Sequence, residues 1–198
     1  MNYIIPLRLV EASTDSILMG KPVTGSPDVR RASDWEVQPK NFTLFGIKYV
    51  NKYHGTYLMR GESEVRDAAT NDLVEEVSYR QNLVVNDEVV RLGTFYRNSV
   101  TYSNEVRLSG GSPGTFKFAI NFNDSDNATI AETEGSDFPV TGTATFVAGG
   151  DTWGGKERNA IYLDYTVNDG TYLHHATATL VFRNKGIVFE EFDILLEN

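Results

Sequence analysis

The chain reads as an all-β protein: an antiparallel up-and-down β-barrel with an N-terminal strand or arm. Three observations predict this. The stretch Val140–Arg183 reads VTGTATFV, AGGDTWGGKERN, AIYLDYTV, NDG and TYLHHATATLVFR, three strand-like runs joined by one long Gly-rich loop and one tight turn. Phe116, Phe118, Ile120 and Phe122 alternate with Lys117, Ala119 and Asn121, the two-residue period of a half-buried strand. No segment carries a helical stripe of useful length, while roughly eight strands at hairpin spacing follow residue 40. Sequential hairpins without long crossovers favour a barrel over a sandwich.

The elements follow in order. Tyr3–Val10 is β-branched and leucine-rich, and Pro6 removes a ladder donor, so it is an edge strand or a strand end. Glu11–Pro39 shows no sustained period and carries Gly20, Pro22, Gly25, Pro27 and Pro39, which marks a linker. So long a connection is uncommon inside a compact domain. Residues 1–22 are therefore expected to be an arm, the last strand of a preceding domain, with 23–39 a linker and 40–198 the barrel. Phe42–Val50 is its expected first strand, followed by a turn at Asn51–Gly55 and a strand at Thr56–Val65. Leu73–Val85 and Glu88–Tyr96 pair around Asn86-Asp87, and residues 63–78 leave room for one short helical turn. Val100–Leu108 is a weaker strand, Ser109–Gly114 a loop, and Asn123–Asp126 turns Phe116–Phe122 into Ala128–Thr133. Val140–Val147, Ala160–Val167, Thr171–Phe182 and Ile187–Leu195 complete the set. Asp169-Gly170 is the best hairpin signal, because both residues tolerate the positive φ of a type I′ turn.

Composition bounds the function classes. In 198 residues, 40% apolar and 12% aromatic side chains suffice for a real core. A formal net charge of −9 argues against nucleic-acid backbones and anionic membrane surfaces as partners. The absence of cysteine excludes disulfides and thiolate metal sites. No apolar run approaches the roughly 20 residues of a membrane helix, so membrane insertion is not expected. MNYIIPLRLV suits a strand better than a signal peptide, and a leader for an exported parent would lie outside this sequence.

Most motifs resolve into ordinary structure. Gly110-Gly111-Ser112-Pro113-Gly114 spells a nucleophile elbow, but a strand follows it where a helix is needed. Gly150–Lys156 spells a phosphate loop, but Glu157 stands where Ser or Thr should follow, and a strand comes next. His174 and His175 are adjacent on a strand and point to opposite faces, so they do not ligate one metal together. Asn123, Asp124 and Asp126 are the residues a calcium ion would take, yet Asn and Asp are also the ordinary turn formers, and no cofactor is expected. No catalytic residues are assigned, and the protein is not expected to be an enzyme. The loop AGGDTWGGKERN is more informative. It sets Trp153 among four glycines, with Asp151, Lys156 and Arg158 near it. An exposed ring beside hydrogen-bonding groups suits sugar recognition, in which the face stacks on C–H groups and polar groups fix the hydroxyls. The other reading folds Trp153 back as a plug in one barrel end. Tyr53 and Tyr57 join Trp153 as candidate groove residues, or else fill the core.

WEVQPKNFTLFGIKYVNKYHGTYLMRG (Trp35–Gly61) and DTWGGKERNAIYLDYTVNDGTYLHHATATLVFRNKGI (Asp151–Ile187) resemble the C-terminal lipocalin-like domain, of DUF5627 or DUF4361-like type, of Bacteroidetes DUF1735-type surface lipoproteins. YIIPLRLV is similar to the closing strand of the DUF1735 domain that precedes it. The resemblance implies a non-catalytic domain of a cell-surface, outer-membrane protein that binds glycan in a polysaccharide-utilisation system, with the DUF1735-like domain as its partner. It offers no catalytic residues, and this chain contains no lipid-anchor cysteine. A structural or adhesion module, and a barrel holding a small apolar ligand in its lumen, are the alternatives.

Overall fold

A computed structural model describes residues 2–13, 16–106 and 114–188. They fall into two compact units, one containing the residues up to Tyr49 and the other Val50–Ile187. The expected loop at Ser109–Gly114, apart from Gly114, with its Gly-x-Ser-x-Gly letters, lies outside the described residues, as does the expected strand Ile187–Leu195 beyond Val188.

Among the described residues the first unit holds four strands. β1 (Asn2–Arg8) pairs antiparallel along its whole length with β4 (Phe42–Lys48), from Asn2↔Lys48 to Arg8↔Phe42. β2 (Lys21–Pro22) and β3 (Trp35–Val37) form a second small ribbon that pairs the end of the expected arm with the expected linker. Trp35 Nε1 donates to the Asp28 carbonyl at 2.8 Å, and Asp28 also accepts from Arg30 Nη2 at 2.7 Å. Side-chain-to-backbone bonding orders this Pro/Gly-rich segment where periodicity shows nothing. Phe42–Lys48 therefore does not open the barrel. Its alternation is that of any two-stranded pair, and it is β1 that takes up its ladder.

The second unit is a closed eight-stranded antiparallel barrel with one extra strand, and it fits a lipocalin-like barrel. Its strands are β5 (Gly55–Asp67), β7 (Glu88–Tyr96), β8 (Ser99–Glu105), β9 (Thr115–Phe122), β10 (Asn127–Glu132), β11 (Val140–Trp153), β12 (Lys156–Asn168) and β13 (Tyr172–Asn184), each hydrogen-bonded to the next. β13 closes the barrel on β5, from Tyr172↔Asp67 to Asn184↔Thr56. The extra strand, β6 (Leu73–Ser78), pairs with the second half of β5, whose first half pairs with β7. β6 and β7 thus do not form the expected pair around Asn86-Asp87. Asp87 is buried, accepts from Arg60 Nε at 2.7 Å and from the Gln81 N–H at 2.8 Å, and pins the connection under β5. β5 and β6 run through the segment 63–78, and its one helical-type turn is their connection at Asp67–Asp72, where the Asn71 N–H donates to the Asp67 carbonyl at 2.9 Å and the Asp67 carboxylate accepts from two more backbone N–H groups.

The two-residue period explains the interior. Tyr57 and Met59, Tyr102, Phe116, Phe118 and Ile120, Ile161, Leu163 and Tyr165, and Ala176, Ala178 and Leu180 all face inward and are buried. The rings of Tyr102, Phe116, Phe118 and Tyr165 meet at centroid distances of 5.0–6.0 Å. Small residues face these large ones, so the lumen is filled with side chains. The space bounded by Ser63, Tyr79, Phe116, Tyr165 and His174 near one end amounts to about 10 Å³, room for a single water.

Candidate functional site

A concavity lies on the outside of the barrel. It is a trough of about 460 Å³ lined by residues of β5, β6, β11, β12 and β13, with Ser78 and Arg80 at its β6 end. The register builds it. One outward row runs Arg60–Thr179–Tyr162–Thr145 across four neighbouring strands, and the next runs Glu62–Thr177–Asp164–Thr143. These rows are its walls. The residues between them (Gly61, Ala178, Leu163 and Ala144) turn their side chains inward or have none, so backbone forms the floor. Glycine matters at two places. A Cβ on Gly61 would fall on the Thr177 carbonyl oxygen, and one on Gly142 on that of Asp164. Each glycine lets its strand close tightly on its neighbour beside the trough.

The walls are polar and chemically unlike. Arg60 and Arg80 supply N–H donors along one line, whereas Glu62 and Asp164 supply carboxylates along the other. Arg60 is oriented by buried Asp87. Asp164 Oδ1 lies 2.9 Å from His175 Nε2. The Tyr162 hydroxyl donates to the Gly150 carbonyl at 2.7 Å, which ties its ring to the base of the β11–β12 hairpin.

That hairpin contains the segment expected to be a long Gly-rich loop. It is instead a continuation of both strands: β11 carries a bulge between Val147 and Asp151, then pairs to the tip at Trp153↔Lys156. Gly154 and Gly155, at φ +62° and +72°, make the two-residue turn there, the left-handed pair a type I′ hairpin demands. At Asp169-Gly170 only Gly170 has positive φ, so the expected hairpin forms without a type I′ turn. Asp169 there accepts from the Thr171 and Tyr172 N–H groups, so its carboxylate shapes the bend.

The four expected hairpin residues do come together. Trp153 is half-buried, and the Arg158 guanidinium carbon sits 5.1 Å from its ring centroid. Asp151 pairs with Arg158 and Trp153 with Lys156 across the hairpin. Trp153 neither plugs the barrel nor offers two free faces, because Arg158 covers one of them. Tyr53 and Tyr57 do not belong to any surface site. Both are fully buried; the Tyr57 hydroxyl donates to the Tyr53 carbonyl at 2.6 Å, and the Tyr53 ring stacks on Phe122 at 3.7 Å. Burial, with the Asp126 carboxylate beside it, pushes the Tyr53 hydroxyl up to about 12.

Asn123, Asp124 and Asp126 do form the β9–β10 turn. Asn123 Oδ1 accepts from the Ser125 and Asn127 N–H groups, and Asp126 Oδ1 accepts from Lys52 Nζ and the Tyr53 hydroxyl at 2.6 Å. An ammonium thus stands where calcium would, and among the described residues no cluster of three or more His, Asp or Glu groups suits a metal ion. His174 faces inward, Nε2 2.8 Å from Asp169 Oδ2, and His175 faces outward, as adjacent strand residues must.

Residues 52–186 match the family model of DUF5627, a domain of unknown function. The chain belongs to the DUF5627 family. A crystal structure from Bacteroides ovatus, described as structural genomics of unknown function, is 35% identical to it with a TM-score of 0.80. That match covers 94% of this chain and 59% of the other, so the chain spans under two thirds of its solved relative. A multidomain protein including DUF1735, also from Bacteroides ovatus, is a remoter likeness: 12% identity and a TM-score of 0.44, over 77% of this chain and 57% of that one. No curated protein matches. The trough lies wholly within the DUF5627 barrel. Its residues are hard to single out in sequence because outward Thr, Arg and Glu on an amphipathic strand look like any solvated face. The paired Thr-x-Thr runs at Thr143/Thr145 and Thr177/Thr179 are the signal available.

Proposed function

We propose that this DUF5627 domain is a non-catalytic glycan-binding module of a bacterial cell-surface protein that serves a polysaccharide-utilisation system, and that the outer trough is its site. The trough itself supports the reading most: donors on one wall, carboxylates on the other, hydroxyls on both and a single tyrosine ring match a hydroxyl-rich ligand with apolar C–H faces. The packed lumen argues against the alternative of a small apolar ligand held inside. Glu62 and Asp164 stand on the same wall and are solvent-exposed, which does not suit a glycosidase. Such an enzyme needs carboxyls flanking the scissile bond, one of them in surroundings that keep it protonated.

A glycan-array screen of the chain, beside Tyr162→Ala and Trp153→Ala, tests this. Binding by the wild type that falls roughly tenfold or more in Tyr162→Ala supports the trough. Loss in Trp153→Ala alone moves the site to the hairpin tip with Asp151, Lys156 and Arg158. No binding by a folded wild-type chain sinks the glycan reading.

A second reading, a structural or adhesion module, is favoured by the β1–β4 ribbon. Tyr3, Ile4, Ile5 and Leu7 on β1 and Phe45 and Ile47 on β4 are all exposed. Among the described residues β1 and β4 pair only with each other, and a large exposed apolar surface marks an interaction site. Its proposed partner is a preceding DUF1735-like domain of an outer-membrane-anchored parent protein.

A further inference from the structure

We infer that the trough receives an extended, neutral glycan lying across the strands, one strand to each sugar unit, and not a single terminal sugar or a chain running along a strand. The inference rests on the glycan reading and adds the direction, length and charge of what is bound.

The direction comes from the register. Three consecutive residues from each of four neighbouring strands line the trough: 60–62, 177–179, 162–164 and 143–145. The middle residues are direct cross-strand partners, Gly61↔Ala178, Ala178↔Leu163 and Leu163↔Ala144. A channel whose floor is a row of such partners runs perpendicular to the strands. Over four strands it is about 14 Å long, three inter-strand spacings, and Ser78 and Arg80 extend it beyond β5. A single sugar would leave most of that length in contact with water. The spacing between strands is close to the length of one pyranose in an extended chain, so successive units meet equivalent positions on successive strands.

The charge comes from the walls. Sugar hydroxyls both donate and accept, so a neutral chain satisfies the arginines along one wall and the carboxylates along the other together. A polyanion would lie against Glu62 and Asp164, and a polycation against Arg80, each leaving like charges side by side, whereas the charge of Arg60 is balanced by Asp87. Tyr162, near the middle and held by the Gly150 carbonyl, is the stacking platform for an inner unit.

The test is a calorimetric titration of the full chain with cello-, xylo- and manno-oligosaccharides from the monosaccharide to the hexasaccharide. In the series that binds, affinity should rise by roughly tenfold or more from disaccharide to pentasaccharide and then level off as the ligand outgrows the trough. Arg80→Gln and Thr143→Val, at opposite ends, should each weaken the longest oligosaccharide several-fold. Thr166→Val, the next outward position along β12, should leave it unchanged. All three sites are on the outer surface, and unchanged melting temperatures establish that the variants are folded. A disaccharide that binds as tightly as the hexasaccharide, or a loss in Thr166→Val with none at the two ends, overturns the crosswise chain and leaves the glycan reading standing. If these neutral series fail while the array shows an acidic glycan bound, the neutral ligand is overturned and glycan binding survives. Silence on the array as well overturns both.

Discussion

Gly61 and a handful of charged side chains carry most of what is particular to this barrel at the residue scale. Gly61 sits where β5 and β13 approach so closely that a methyl group would fall on backbone of the neighbouring strand. Gly61→Ala should therefore destabilise the fold by about 1–3 kcal/mol, measured by urea denaturation, because backbone and not a flexible side chain must yield. A stability equal to wild type would show that the strand pairing there is looser than described. Asp28, Asp67, Asp126 and Asp169 are all held below the ordinary carboxylate value, and Asp126 and Asp169, which bond to side chains of other elements or to a buried histidine, should make the fold acid-sensitive. Hydrogen bonds from Lys52 and then Tyr53 hold Asp126 below its ordinary value of 3.8. Burial pushes Asp169 upward, but His174 and the Tyr172 and Thr171 N–H groups outweigh it and leave Asp169 lowered as well. A group depressed in the folded state contributes stability above its unfolded value and loses it as pH falls through its folded one. These two groups should thus leave the denaturation midpoint flat from pH 7 to about 5 and lower it below about pH 4, and Asp126→Asn should remove part of that fall. A midpoint as high at pH 3 as at pH 6 would contradict the assignment. Residue type alone could not separate these roles. In sequence Tyr53 and Tyr57 suit a groove or the core, and they are core residues in the structure, because the face a ring occupies depends on strand register and not on its neighbours in the chain.

Strands with clean alternation were legible as elements, and those whose partners lie far along the chain were not. Phe116–Phe122 and Ala160–Val167 show their period directly and appear as β9 and most of β12. The glycines of AGGDTWGGKERN look like loop formers, but a bulge and a two-residue turn use them inside a hairpin whose strands run on past the barrel. Phe42–Val50 is equally clear as a strand, yet its partner is β1, more than thirty residues earlier, and no local pattern identifies it. The β1–β4 ribbon has the most direct consequence at this scale. With apolar side chains exposed on both strands, the chain should self-associate at high concentration. Charged substitutions on the ribbon, Ile4→Lys with Phe45→Lys, should shift sedimentation toward the monomer while the barrel's melting transition stays in place. Undiminished association in that variant would move the adhesive surface elsewhere.

For the whole molecule, closure is the decisive event. β13 pairs with β5 through twelve register partners, so the last strand of the barrel completes the surface its first strand began. All-β composition, hairpin spacing and the absence of helical stripes made a barrel legible without any distance information. The trough was not legible, because it arises only when β11, β12 and β13 are laid beside β5, bringing Thr143 and Arg60 onto one surface from strands far apart in the barrel sequence. Closure also packs the lumen with side chains, which is why the proposed ligand site is on the outside of the wall. The most direct test of that claim is a map of backbone amide shifts by nuclear magnetic resonance as the full chain is titrated with an oligosaccharide selected on the array. The account predicts perturbations clustered at residues 60–62, 143–145, 162–164 and 177–179, with the inward core silent. Perturbations confined to the β1–β4 ribbon or to the lumen, with the trough unmoved, would contradict it.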